Sequence, residues 1–271
     1  MKTTAIGTAA LTVGSSLLLG AKNEAGKPVL DFIEVPIKGL HPSVEGFKVI
    51  HITDIHLSLL THIDVVEKAV ALANSVDPDV ALITGDHIWK NSAAMFELAP
   101  ALTQINTRHG VFASLGNHEL WANEAIVKQA MLEAGLPLLE NQGVDLPVGK
   151  GSVYVAGLDD AWSGDPDLDA SLANNHNNAP VILMCHEPDV ADQYARTKKI
   201  ALQLSGHSHA GQVRLPIYGP VALPYLGRKY EMGLYRVEDM WLYTNRGLGV
   251  ISVPLRYNCP PEVTVITLVR A

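Results

Sequence analysis

"FKVIHITDIH", residues 47–56, runs from an apolar pattern directly into a carboxylate and an imidazole. Residues 47–53 alternate poorly and are rich in Val, Ile and Thr, which predicts a strand buried on both faces. Asp54 and His56 then fall just beyond its carboxyl end, where open α/β sheets place their ligands. The same arrangement recurs along the chain. Strand candidates at 79–85, 110–117, 152–158, 180–186 and 200–206 alternate with helical spacing at 62–76, 92–106 and 123–135. Pro100 should kink or split the second helix, and Gly135 stops the third. This rhythm predicts an α/β protein. After residue 210 the pattern becomes strand-rich ("GLYRV", "MWLYTNRG", "EVTVITLV"), so an α/β sandwich with an added β half fits better than a simple doubly wound sheet.

The polar residues that close these strands carry the chemistry. The first strand ends in Asp54-Ile55-His56, the next in Gly85-Asp86, and another in Gly116-Asn117-His118-Glu119. Two later ones end in His186-Glu187 and in Gly206-His207-Ser208-His209. Any one of these is weak: a lone Gly-Asp is mostly a turn, and H-x-H occurs by chance. Together they supply carboxylate, amide and imidazole donors at one end of a sheet. Mixed oxygen and nitrogen donors suit Mn, Fe or Zn better than an all-oxygen Ca or Mg cage. Seven donors exceed one tetrahedral ion and suit two ions sharing a carboxylate, the arrangement for in-line displacement at phosphorus.

Composition narrows the alternatives. The chain has 271 residues, 48% hydrophobic and 18% charged, enough for a sizeable core. Basic residues number 20 and acidic residues 28, a formal net charge of −8, and no basic run exceeds Lys198-Lys199. Nucleic acid is therefore disfavoured as a partner. The two cysteines, Cys185 and Cys259, form no C-x-x-C pair, which argues against a thiolate zinc site, and Cys185 in its apolar run reads as a buried small hydrophobe. The N-terminus carries no charge between Lys2 and Lys22, and residues 1–26 read as an export signal or membrane anchor with a polar linker. That leaves 27–271 as the catalytic domain, located in the cell envelope, or in the cytoplasm if the leader is not a signal.

The motifs D-x-H at 54–56, GD at 85–86, GNHE at 116–119, His186 and GHSH at 206–209 closely resemble those of the calcineurin-like metallophosphoesterase superfamily. The tail "GHSHAGQVRLP", "RKYEMGLY", "NRGLG" and "PLRYNCPPEVTVITL" resembles the bacterial YkuE/YaeI-like phosphodiesterase branch, whose members often carry an export signal or anchor. The resemblance implies a four-layer α/β/β/α sandwich. It implies two divalent ions, one on Asp54, His56, Asp86 and His209, the other on Asn117, His186 and His207, with Asp86 bridging. It also implies that His118 is not a ligand but contacts the phosphoryl group and protonates the leaving oxygen, with Asn117 beside it. One departure is "GDHIWK" at 85–90: His87 and Trp89 replace the expected residues, and the usual acidic group that orients the ligands is absent.

Single residues have bland readings beside sharp ones. His51 reads as core, Glu119 as a helix cap or an orienter of His118, Glu187 as a helix start, and Trp162 as part of a solvated acidic loop or a pocket wall. Arg246 is the candidate for holding phosphate and Arg256 a second, each balanced against a structural salt bridge. The leading function is hydrolysis of phosphodiesters by hydroxide generated at the metal pair, with a small-molecule or lipid-linked phosphoester as substrate. The alternatives are a pyrophosphatase acting on a nucleotide-linked lipid precursor and a metal-binding scaffold without turnover. The acidic balance disfavours a nuclease, and the missing H-x-H-x-D-H disfavours a metallo-β-lactamase type.

Overall fold

In the computed structural model, which describes residues 23–271, two β-sheets lie face to face between layers of helix. The first sheet has the order β1-β13-β2-β3-β4, with β1 Val29–Ile37, β2 Lys48–Thr53, β3 Val80–Thr84, β4 Val111–Ser114 and β13 Glu262–Arg270. The second has the order β11-β12-β8-β7-β6-β5, formed by β5 Gln142–Val148, β6 Gly151–Gly157, β7 Val181–Met184, β8 Leu202–Ser205, β11 Gly233–Val237 and β12 Met240–Thr244. A small hairpin, β9 Arg214–Leu215 with β10 Gly219–Pro220, belongs to neither. The strands β2, β3 and β4 run parallel, as do β6, β7, β8 and β12.

Three apolar clusters account for the layering. Val49, Val80, Leu82 and Ile266 of the first sheet meet Val153, Val155, Ile182 and Leu204 of the second. The opposite face of the first sheet, with Ile50, Ile52, Ala81 and Ile83, packs on three helices: α1 Ile63–Asn74, α2 Met95–Leu102 and α4 Glu124–Ala134. The outer face of the second, with Tyr154, Leu183 and Leu242, is covered by Ala191, Tyr194 and Ala195 of the short α6 Ala191–Ala195; α5 is Leu168–Leu172. Because β2 and β3 are buried on both faces, their sequences are nearly continuous apolar runs. This is the four-layer α/β/β/α sandwich.

Three expectations need correction, and one strand was not foreseen. The helix predicted over 92–106 is a 3-10 turn at Ser92–Ala94 followed by α2, which tolerates Pro100 but ends two residues later; the missing proline N–H weakens the last turn. The strand predicted over 110–117 stops at Ser114, and Asn117–Ala122 forms a short helix, α3. The late strands are not a separate half. β11 and β12 extend the second sheet, whereas β13 inserts between β1 and β2 of the first. Its partner β1, pairing Val29↔Glu262 through Ile37↔Arg270, was not anticipated.

The leader, residues 1–22, lies outside the described residues. Among the described residues no helix is long and apolar enough to cross a membrane. Part of the predicted linker is tied to the domain: Glu24 N–H donates to Arg256 O (3.0 Å), and Cys259 N–H to Glu24 Oε2 (2.8 Å). Both cysteines are buried and unpaired with each other.

Candidate metal centre

Five parallel strands, three from one sheet and two from the other, end at one edge of the sandwich. The chain turns there on residues with positive φ: Asp54 (50°), His56 (47°), Asp86 (51°), His207 (67°) and His209 (49°). The left-handed region costs an L residue roughly 1–2 kcal/mol, and such strain gathers where side chains must be aimed for function. Two glycines make the close approach feasible. A Cβ on Gly206 would collide with Asp54 Oδ2 and Thr53 Oγ1, and one on Gly85 (φ 68°) would come within 2.6 Å of His186 Nδ1.

The two sheets are stitched at this edge by the site residues themselves. His207 N–H donates to both Asp54 oxygens (3.0 and 2.9 Å), and His186 Nδ1 lies 2.9 Å from Thr84 O. A carbonyl only accepts, so Nδ1 of His186 carries the hydrogen and its Nε2 lone pair faces inward. Likewise His207 Nε2 bonds to Tyr225 O (2.7 Å), which turns the Nδ1 lone pair inward.

The donors form two groups. Asp54, His56 and His209 present ligand atoms within 4.8 Å of one another, and so do Asp86, His186 and His207. Asp86 Oδ2 lies 3.1 Å from His186 Nε2 and 3.5 Å from His56 Nε2, so one carboxylate oxygen faces both groups. His56 Nε2 is 2.9 Å from His209 Nε2, which is itself 3.2 Å from Asp54 Oδ1. Asn117 Oδ1, His186 Nε2 and His207 Nδ1 are buried without a hydrogen-bond partner. Buried polar atoms normally find partners, so these orphans, aimed at one small volume, fit a site that holds cations. The thiol-free set of imidazole, carboxylate and amide donors matches a borderline divalent ion.

The electrostatics agree at Asp54, Asp86, His56 and His207. At His186 burial is outweighed by the Asp86 and Asp54 charges, which raise the imidazole well above its ordinary range, so its Nε2 proton must leave before a cation binds. Burial pushes the Asp86 carboxyl up, but His186, His56 and His118 outweigh it and hold it well below the ordinary carboxylate range. Asp54 is likewise pulled down by His209 and His186 against its burial. Burial keeps His56 neutral and drives His207 down to about 4. Neutral imidazoles and ionised carboxylates are the forms that bind metal.

Around this cluster the structure places residues that sequence reading weighed differently. Glu119 is fully buried, and the His118 ring bonds to Trp89 O rather than to it. The Glu119 carboxylate accepts N–H bonds from Gly116 (2.9 Å), Asp86 (2.9 Å), His87 (2.8 Å) and Ile88 (3.2 Å). It thereby caps α3 and fixes the Asp86 turn; burial and the Asp86 charge raise it to about 8. His87 is buried, with Nε2 2.9 Å from Ser114 O, and is a packing residue. His51 is also core, 2.8 Å from Thr84 Oγ1. Arg246 is not brought to the cluster: its guanidinium pairs with Asp31 and, at 3.1 Å, with Glu262. Arg256 comes closer, fully buried with Nη2 3.4 Å from His209 Nδ1 and its other bonds spent on the carbonyls of Gly249, Cys259 and Arg246 and on Cys259 Sγ.

His118 opens the outer side. Its ring stacks on Trp89 (centroids 4.5 Å, 26°), and its Nδ1 lies 2.8 Å from Trp89 O, so Nδ1 carries the hydrogen and Nε2 points away. His118 also shares a ligand-distance group with His56 and Asp86. An aromatic wall continues from His118 through Trp121 (5.1 Å) to Trp162 (4.9 Å), whose ring contacts both Tyr225 (5.5 Å) and His207 (5.6 Å). The spacing of His118 and Trp121, three apart, would have placed them on one face had α3 been read as a helix. Tyr225 gives no local signal, since only the return of a distant loop brings it to His207.

A family model for calcineurin-like phosphoesterase matches residues 47–211. The chain is 35% identical over 228 residues to the uncharacterized metallophosphoesterase YkuE of Bacillus subtilis, covering 83% of this chain and 79% of that protein. It is 29% identical over 231 residues to phosphodiesterase YaeI of Escherichia coli, covering 82% of each. Among solved structures it is similar to a 5'-nucleotidase precursor from Thermus thermophilus, with a TM-score of 0.52 at 14% identity, covering 83% of this chain and 54% of that one. The chain thus spans about half the length of that structure, and the likeness concerns the fold.

Proposed function

The chain belongs to the calcineurin-like phosphoesterase family, and on that premise we propose that it hydrolyses phosphodiesters at a two-metal centre. Asp54, His56, Asp86 and His209 would hold one ion and Asn117, His186 and His207, with Asp86 shared, the other. The observation that carries this reading is the Asp86 carboxylate, one oxygen of which faces His56 on one side and His186 on the other. Two divalent ions there would lower the pKa of a bound water and neutralise the non-bridging oxygens of the phosphoryl group.

The protein's own groups do the rest. Asp54 and Asp86, held ionised, set the charge of the site. Trp89 O accepts from His118 Nδ1–H and fixes the ring, leaving Nε2 free to face substrate. When Nε2 also carries a proton, His118 donates it to the departing oxygen. Asn117, adjacent in the first turn of α3, presents its amide oxygen inward. The mixed donor set favours Mn, Fe or Zn, and the apolar leader supports a location at the cell envelope.

The test is turnover of bis(p-nitrophenyl) phosphate by protein purified without added metal, then supplied with Mn²⁺, with metal content measured in parallel. Activity should rise with occupancy and vanish with a strong chelator. Undiminished turnover in rigorously metal-free protein would overturn the two-metal mechanism.

A further inference from the structure

Residues 214–228 contain no charge between Arg214 and Arg228. They fold as the small β9–β10 hairpin and a following loop. An uncharged segment of this length normally packs into a core. Here it does the reverse: Ile217 is fully exposed, Tyr218 is 85% exposed, Val221 63% and Tyr225 57%, and the neighbouring Val253 is half exposed. Scattered apolar residues on a surface need no explanation, but a contiguous patch marks a contact.

Two further observations say which contact. The hairpin is rigidly joined to the metal centre. Gly211, two residues after His209, lies against Pro220 and Ala222, and Tyr225 O holds the His207 ring. Asn23, the first described residue, also lies on this same side. Asn23 bonds to Pro254 O (2.8 Å) and Arg256 N–H (3.1 Å). The 253–258 segment bonds in turn to Gln212 and to both ends of Arg214. The segment that precedes Asn23 carries no charge between Lys2 and Lys22. Asn23, where the apolar leader joins the domain, and the exposed apolar hairpin therefore share one face, beside the opening of the site. Tyr and Ile at such a tip suit the boundary between headgroups and acyl chains.

We propose that the 215–225 hairpin is a lipid-bilayer contact that, together with the leader, turns the mouth of the metal centre toward the membrane surface. What it implies for substrate rests on the phosphoesterase reading, but its readout is depth in a bilayer rather than turnover, so the two fail separately. The substrates reached most readily in that orientation are phosphoesters presented at a lipid surface.

The test uses the full chain with Ile217→Cys carrying an environment-sensitive fluorophore; Cys185 and Cys259 are buried and should stay unlabelled. Leu132→Cys, on exposed α4, is the control. With phosphatidylethanolamine/phosphatidylglycerol vesicles bearing spin-labelled acyl chains, the probe at 217 should blue-shift and be quenched, and the probe at 132 should not. Adding Y218E and V221E should abolish that quenching while turnover of a soluble diester is unchanged. Equal behaviour of the two probes, or burial of the 217 probe by self-association without vesicles, would overturn the proposal.

Discussion

Asp86 sits where the two donor groups meet, so its substitution acts on both. Asp86→Asn keeps the size but removes the negative charge that offsets repulsion between two cations. It should lower metal content at both positions and reduce turnover more than a change at any other donor, as elemental analysis and kinetics on the same preparations will show. Full occupancy with near wild-type turnover would contradict the bridging role. His118 makes the opposite prediction. His118→Asn should retain both ions and lose about 10²–10⁴-fold in kcat, the usual worth of general acid–base assistance. The loss should be steeper for esters with poor leaving groups. A variant that instead loses one ion, with unchanged rate per filled site, would make His118 a ligand, a reading that its proximity to His56 and Asp86 keeps testable.

At the scale of elements, the turn after β3 and the start of α3 are held by one side chain. Glu119 takes four backbone N–H groups, and Glu119→Ala would strand them in a buried site. Each unsatisfied buried group costs roughly 1–3 kcal/mol, so chemical denaturation should show a loss of several kcal/mol and metal affinity should fall with it. Glu119→Gln, which keeps one accepting oxygen, should fall between. Unchanged stability in the alanine variant would mean that water replaces the carboxylate. Gly206 is the second control point: Gly206→Ala drives a methyl into Asp54 and should weaken the ion on Asp54, His56 and His209.

For the whole molecule, acid is the expected weakness. Burial pushes His51 down to about 3 and His87 to about 4, from an ordinary 6.5. The unfolded chain binds protons there below pH 6.5, and the folded chain does not until about pH 4 or lower. Stability is therefore complete above the ordinary histidine range and falls as the pH drops through it towards the folded values, by roughly 3 kcal/mol for His87 and roughly 5 kcal/mol for His51. Urea midpoints measured from neutral to acid pH should show this slope, and His87→Gln should flatten it. The domain's edge is testable in the same assay. A chain beginning at Asn23 should keep full stability, whereas one beginning at Lys27 loses the Glu24 and Asn23 bonds to the 254–259 segment.

The order of strands and helices and the inventory of donors were legible in the residues before any coordinates. Both are local: a doubly buried strand needs an unbroken apolar run, and the residue that follows it must lie at the sheet edge. Thus Asp54, His56, Asp86, Asn117, His186, His207 and His209 could be named from the chain alone. What depends on distant segments meeting was settled by the folded molecule. The placement of β13 between β1 and β2 follows from which edge was free to pair, and no local pattern encodes that. The same holds for Arg246, which looked free to bind phosphate until Asp31 and Glu262 arrived on either side of it. It holds equally for Glu119, whose four N–H partners come from two separate turns, and for the 215–225 hairpin. Its composition reads as core, and only its place in the fold shows that it faces outward.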